Sequence, residues 1–298
     1  MQKLIAVIVV VLVLVGVFVA VQISTGTDDD RPTVKMVYVE GWSTEVASTN
    51  VVKAVLEEKF GYNCRITPVG AAAMWEAVAT GGQDGMVAAW LPTTHDDYLE
   101  KNKDNVENLG PNLEGTQIGL VVPTYVTIET ISDLAVHAEK FNGEIIGIGP
   151  GAGVMKKTEK ALDEYNLRDK FDLVASSGPM MTSALASRIE ENAWVVITGW
   201  RPHWTFEEFD LKFLHDPKNV YGGQERINTI VRKGLKKDMP KVHKFLDQFY
   251  WTPQQMNEVL VMNQKGGNPF ENAKKWIEQN PETVAKWLEG IDLPEKTK

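Results

Sequence analysis

The chain has 298 residues, of which 43% are hydrophobic and 24% charged, and its net charge is −9. That size suggests two domains with a sizeable core, and the acidity argues against a nucleic-acid partner, since a polyanion would be repelled. The one cysteine, Cys64, excludes an internal disulfide. It lies in Asn63–Thr67, a predicted strand with no base nearby, and reads as a packed thiol rather than a nucleophile.

Leu4–Val21 is an apolar run of 18 residues preceded by Lys3. At ~1.5 Å per residue it nearly spans a hydrocarbon core of ~30 Å, and it exceeds the ~7–15 apolar residues usual in a signal peptide. No clear small-x-small cleavage site or lipid-accepting cysteine follows. Residues 1–22 are therefore expected to form a hydrophobic helix, read as an uncleaved membrane anchor in preference to a removed signal segment. Lys3 would stay inside and Asp28–Asp30 outside. This predicts a cell-membrane location with the soluble domain extracytoplasmic. The polar stretch 23–33 reads as a linker.

The first lobe opens with a strand over Val34–Glu40, then a helix over Ser43–Phe60 with Val51, Val52, Val55 and Leu56 among its apolar positions. A strand over Cys64–Pro68 and a helix from Ala71 to about Thr80 follow, closed by Gly81-Gly82. Gly85–Ala89 reads as a buried strand, and Asp96–Asp104 as a short helix or loop. Gln117–Val122 is a strand leaving this lobe, and Ile131–Lys140 looks helical. The second lobe has strands at Glu144–Ile148, Phe171–Ala175 and Trp194–Thr198, with helices at Val154–Tyr165 and Met181–Glu190 between them. Arg226–Arg232 alternates like a strand returning to the first lobe. Three helices, Met239–Phe249, Pro253–Asn263 and Pro269–Gln279, and a turn near Pro281–Glu289 finish the chain.

The halves share a pattern. Trp90 in Trp90-Leu91-Pro92 and Trp200 in Trp200-Arg201-Pro202 each follow a short apolar run. Trp90 lies 48 residues after Trp42, and Trp200 lies 48 residues after Ala152; both earlier positions fall in turns after strands. An α/β chain of two similar lobes is implied, joined by a hinge of two crossing strands. The expected boundaries are 34–118 for lobe 1, 119–226 for lobe 2, and 227–298 for the return to lobe 1 and the C-terminal helices. Ligands of open α/β sheets bind at the carboxyl ends of strands, and a ligand between lobes closes them.

Trp42, Trp90 and Trp200 all fall at such ends, whereas Trp75, Trp194, Trp276 and Trp287 sit inside helix or strand patterns and are assigned to packing. A quaternary ammonium donates no ordinary hydrogen bond and is held by the negative faces of aromatic rings, at ~2 kcal/mol or more when water is excluded. Gly149–Val154 leads into a helix, but Val154 replaces the third glycine of a dinucleotide fingerprint and no Walker spacing follows. Its first N–H groups, at Gly153 and Val154, suit a small anion. His95, on the Trp90 loop, is placed to donate to a carboxylate; His203 reads as loop packing. Cage and helix N-terminus together describe a zwitterion site. No hydrolase or zinc spacing is present, so no catalysis, metal or cofactor is expected, and the acidic residues read as solvated helix faces.

Gly41–Glu45, Ala89–His95, Pro111–Gly115, Gly149–Met155, Thr198–Trp204 and Asp216–Gly223 resemble the glycine betaine/proline betaine-binding proteins of osmoprotectant ABC importers. The likeness covers roughly Val34 to Asn263. It implies a two-lobed periplasmic-binding fold of type II, a trimethylammonium cage of Trp42, Trp90 and Trp200, and a ligand carboxylate held by Gly153, Val154 and His95. The expected partners are glycine betaine or a similar zwitterion, ABC permease and ATPase subunits, and the membrane through the N-terminal segment. Choline or carnitine binding remains an alternative, as do, further off, an anchored enzyme or a sensor for quaternary amines.

Overall fold

A computed structural model describes residues 30–294. The expected anchor and most of the linker lie outside these residues. Among the described residues, no helix is long and apolar enough to cross a membrane.

The body is built on two runs of parallel strands joined by antiparallel ones. β1 (Thr33–Tyr38), β2 (Asn63–Pro68) and β3 (Gly85–Leu91) alternate with helices α1 (Ser43–Glu58) and α2 (Ala71–Ala79). β1 pairs in parallel with both β2 and β3, giving the local order β2-β1-β3. Every residue of β3 is buried. That fits its continuous apolar sequence, since a strand covered on both faces need not alternate. After α3 (Asp96–Asn102) comes the long strand β4 (Val106–Pro123), followed by two short 3-10 turns at Ile131–Val136 and Ala138–Phe141.

The second run repeats the first. β5 (Glu144–Ile146), α4 (Gly153–Glu164), β6 (Asp172–Val174), α5 (Gly178–Glu190) and β7 (Ile197–Arg201) give the local order β6-β5-β7. In each run the first strand lies between the other two, as the repeated tryptophan spacing implies. Both Trp-x-Pro motifs also contain a cis peptide bond, at Leu91–Pro92 and Arg201–Pro202.

α6 (Thr205–Glu208) and β8 (Leu211–Phe213) lead through an irregular segment to β9 (Glu225–Arg232). β9 lies antiparallel between β3 and β4, and β4 continues past it to pair with β7 and β8. The two crossing segments are therefore the middle of β4 and the stretch entering β9. The remaining helices are α7 (Leu235–Asp238), α8 (Pro240–Gln248), α9 (Pro253–Gln264), α10 (Pro269–Gln279) and α11 (Pro281–Trp287). α9 and α10 pack on α1.

These last helices start where proline presets the first turn, and Thr252 and Asn268 cap two of them through their side chains. Trp276 and Trp287 stack at 6.0 Å, with Trp251 edge-on to Trp276 at 5.8 Å. Trp75 is fully buried, and Trp194 packs against Phe141 beneath the Lys140 ammonium. Cys64 is 1% exposed, and burial, partly offset by Lys53, pushes its thiol up to about 12. It is a packed thiol.

Several elements differ from their expected extents. β4 begins at Val106, well before Gln117, because Gly110 and Gly115 and three register shifts against β9 break its alternation. The segment expected as a helix at Ile131–Lys140 is two 3-10 turns that break at His137. β7 begins at Ile197, where pairing with Val121 of β4 starts, rather than at Trp194.

Candidate functional site

Trp90 is the next-to-last residue of β3 and Trp200 the next-to-last of β7, so both rings leave strand ends rather than the loops beyond them. Trp42 is the residue before α1; its N–H donates to the Val39 carbonyl and its own carbonyl accepts from Val46. The three rings line one tight cavity. His95, Gly153 and Val154 line the same cavity. The structure thus brings together all six residues singled out from the sequence. Ile118, Ile148, Ala152, Thr44 and Thr94 complete the lining.

His95 is fully buried. The Trp90 backbone N–H donates to its Nδ1 at 3.2 Å, and the His95 N–H donates to the Trp90 carbonyl at 2.9 Å. Because Nδ1 accepts, the ring proton sits on Nε2, which has no protein partner. Burial, only partly opposed by Asp97, lowers the imidazole to about 4, so His95 is neutral at physiological pH. The ring is fixed by Trp42, stacked at 6.0 Å, and by Trp75 and Tyr98, both edge-on.

Gly153 and Val154 are the first two residues of α4. The N–H groups of a first turn have no partner within their helix, and no side chain caps this one. A Cβ at Gly153 would collide with the Thr94 carbonyl, so only glycine lets the helix end approach the Trp90 loop this closely. At the cavity rim, the Tyr98 hydroxyl donates to the Gly151 carbonyl at 2.9 Å, and Lys156 pairs with Asp97 at 2.5 Å. Across the body, a Cβ at Gly178 would strike the Gly41 carbonyl. The strand runs bearing Trp90 and Trp200 are therefore shut on each other.

None of the lining side chains carries a charge once His95 is neutral. The walls offer aromatic faces together with a His95 N–H and helix N-terminal N–H groups. Such a lining compensates neither a lone cation nor a lone anion by ion pairing, and suits a net-neutral solute with separated charges.

The family described as the substrate binding domain of ABC-type glycine betaine transport systems, OpuAC, matches residues 32–279. The chain belongs to this family. Lactococcal OpuAC in its closed-liganded conformation with glycine betaine superposes with a TM-score of 0.82 at 46% identity, covering 87% of this chain and 100% of that one. The glycine betaine/L-proline-binding protein ProX of Borrelia burgdorferi gives a TM-score of 0.83 at 41% identity, covering 89% and 97%. The glycine betaine/carnitine transport binding protein GbuC of Listeria monocytogenes is 50% identical over 155 residues, 52% of this chain and 52% of its own length. The match thus spans about half the length of that curated relative. These likenesses show the two-lobed periplasmic-binding fold expected for the family.

Three other residues at the site were not singled out from the sequence, although Glu45 and Tyr221 lie in segments that carry the resemblance. Glu225, at the head of β9, accepts from the Thr93 and Thr94 N–H groups at 2.8 and 2.7 Å and from the Thr94 hydroxyl, holding the loop that bears His95. Glu45, in the first turn of α1, is buried against Trp90. Both contradict the reading of acidic residues as solvated faces. Tyr221 is buried and donates its hydroxyl to Thr158 of α4 at 2.9 Å, four residues before Glu225. His203 packs as expected: its ring stands edge-on to Trp200 at 4.7 Å, its Nδ1 accepts from the Thr205 N–H, and burial lowers it to about 3.

Proposed function

We propose that this chain captures glycine betaine, or a related betaine such as proline betaine, between its lobes and delivers it to an ABC importer for osmoprotection. Trp42, Trp90 and Trp200 hold the trimethylammonium group by cation–π attraction. The carboxylate takes N–H donors from Gly153 and Val154 and the Nε2–H of His95. The observation that carries this reading is an uncharged lining that pairs aromatic walls with unpartnered N–H donors. A zwitterion needs both halves and no counter-ion. The lobes are taken as residues 34–118 and 119–226, with 227–298 completing the first.

Carnitine, which appears in the name of the Listeria relative, also has both groups and is the second ligand to test. Choline lacks the carboxylate and would offer the donors only a neutral hydroxyl. We read the chain as a binding protein and not an enzyme: its matched relatives are transport binding proteins, and the Cys64 thiol stays protonated. Delivery to an importer places the folded part outside the cytoplasm, with the permease and ATPase subunits as partners. Residues 1–22 would supply the membrane attachment.

Calorimetric titration of the purified chain with glycine betaine, carnitine, choline and proline tests the reading. Binding of the two carboxylated quaternary amines well ahead of choline and proline is expected. Equal binding of choline would remove the carboxylate half of the site, and no binding of any would return the three tryptophans to packing.

A further inference from the structure

Trp90 is 5% exposed, and its indole N–H must find an acceptor or bear the cost of burial without one. The acceptor is Oε1 of Glu45, at 3.3 Å, reached across 45 residues of sequence from the first turn of α1. Glu45 is itself 1% exposed, and its Oε2 has no partner. It meets the N–H edge of the ring and is not among the residues that line the cavity. A buried acidic side chain with one oxygen on an indole N–H and the other unsatisfied is an expensive arrangement for packing alone.

We propose that Glu45 is the positioning residue of Trp90: by accepting the indole N–H it fixes that ring plane in the cage and so sets the affinity for the quaternary ammonium. The inference deepens the proposed function, since its affinity part rests on Trp90 contacting the ligand. An indole turned over about its side-chain bond would carry the N–H away from Glu45, so the hydrogen bond selects one ring orientation. Trp42 has no such device and is placed by stacking on His95; Trp200 is placed by the edge of His203.

Burial, against the smaller pull of the Trp90 N–H, holds the Glu45 carboxyl well above the usual carboxylate range. A neutral acid can orient the ring without adding net charge beside it. An ionised one would put a negative charge beside the cage and favour bare cations such as choline over a zwitterion. An amide has the same shape and the same accepting oxygen.

The test uses the full chain with Glu45→Met, which keeps length but removes a strong acceptor, Glu45→Leu as a second apolar replacement, and Glu45→Gln as the conservative rescue. Each is made with Trp90 and with Trp90→Phe, a ring without an N–H. The Trp90 indole proton, assigned by its loss in Trp90→Phe, is followed by NMR without ligand, and glycine betaine affinity is measured by calorimetry. The apolar variants should shift the indole resonance upfield and speed its exchange, whereas Glu45→Gln should keep the resonance near its wild-type place. Glycine betaine should bind roughly tenfold more weakly in Glu45→Met, be largely restored by Glu45→Gln, and lose little further from Glu45→Met once Trp90 is Phe.

An unmoved resonance in Glu45→Met, or an equal loss of affinity in both backgrounds, would overturn the proposal. If neither apolar variant folds, a displaced indole proton in Glu45→Gln overturns it. If the wild-type chain does not bind glycine betaine, the cage reading falls, and the NMR comparison still decides whether Glu45 orients Trp90.

Discussion

His95→Phe separates the two halves of the site. Phenylalanine keeps the ring that Trp42, Trp75 and Tyr98 pack against, and it removes both nitrogens. Loss of Nδ1 leaves the Trp90 backbone N–H without its partner. That costs stability, ~1–3 kcal/mol for a buried unsatisfied donor, and it does so with or without ligand. In the proposed site, loss of Nε2–H would also remove a donor to a charged carboxylate, worth ~1.5–3 kcal/mol. Glycine betaine should therefore bind about 10- to 150-fold more weakly, with a lowered Tm as a separate effect. Choline offers Nε2 only a neutral hydroxyl, a weaker acceptor than a carboxylate, so its binding should change less. Calorimetry with both ligands on wild type and variant reads the difference. Equal losses for both would show that His95 acts only by holding the tryptophans, and an unchanged glycine betaine affinity would refute its place at the carboxylate.

Trp90→Ala should weaken glycine betaine by at least ~1 kcal/mol, about fivefold, through loss of one aromatic wall; unchanged affinity in calorimetry would remove Trp90 from the cage. Gly153→Ala puts a Cβ on the Thr94 carbonyl, across the lobes. It should oppose closure more than folding, costing ~1–3 kcal/mol of affinity, as overpacking does, with a Tm near wild type in the absence of ligand; a lowered Tm with intact affinity would locate the clash in the fold instead. Burial lowers His95 to about 4 and His203 to about 3, both below the usual value. The unfolded chain then binds more protons than the folded one as pH falls below about 6.5. Measured in Glu45→Gln, because the raised Glu45 carboxyl acts in the opposite direction, stability should be full above that pH and decline toward pH 4, as followed by Tm. A Tm that rises on acidification would refute the neutral burial of these rings.

The repeat was legible because two identical spacings place tryptophan and turn at strand ends, and strand ends are fixed by apolar runs that cannot leave the core. Helix starts at Pro253 and Pro269 were legible because proline fits a first turn, whereas Pro281 opens a helix where only a turn was expected. β4 was not, since its bulged half, from Val106 to Thr116, has no simple period of two and contains Gly110, Pro111 and Gly115. His95, Gly153 and Val154, which the structure brings to one cavity, could be picked out because free N–H groups are expected at loops and helix starts. Glu45 and Glu225 could not: nothing in hydrophobic periodicity shows that a carboxyl is turned inward to serve a neighbouring indole or loop. Their burial follows from contacts 45 and 131 or more residues away in sequence.

Tyr221 and Glu225 make the return of the chain into a tie-rod. Tyr221 is fastened to Thr158 on the helix whose first turn holds Gly153 and Val154, and Glu225 grips the loop that holds His95. Between the two anchors run only Gly222, Gly223 and Gln224. The donors on opposite sides of the cavity are thus spaced by a short length of covalent chain. A rotation that parted the His95 loop from the first turn of α4 would pull on this tie.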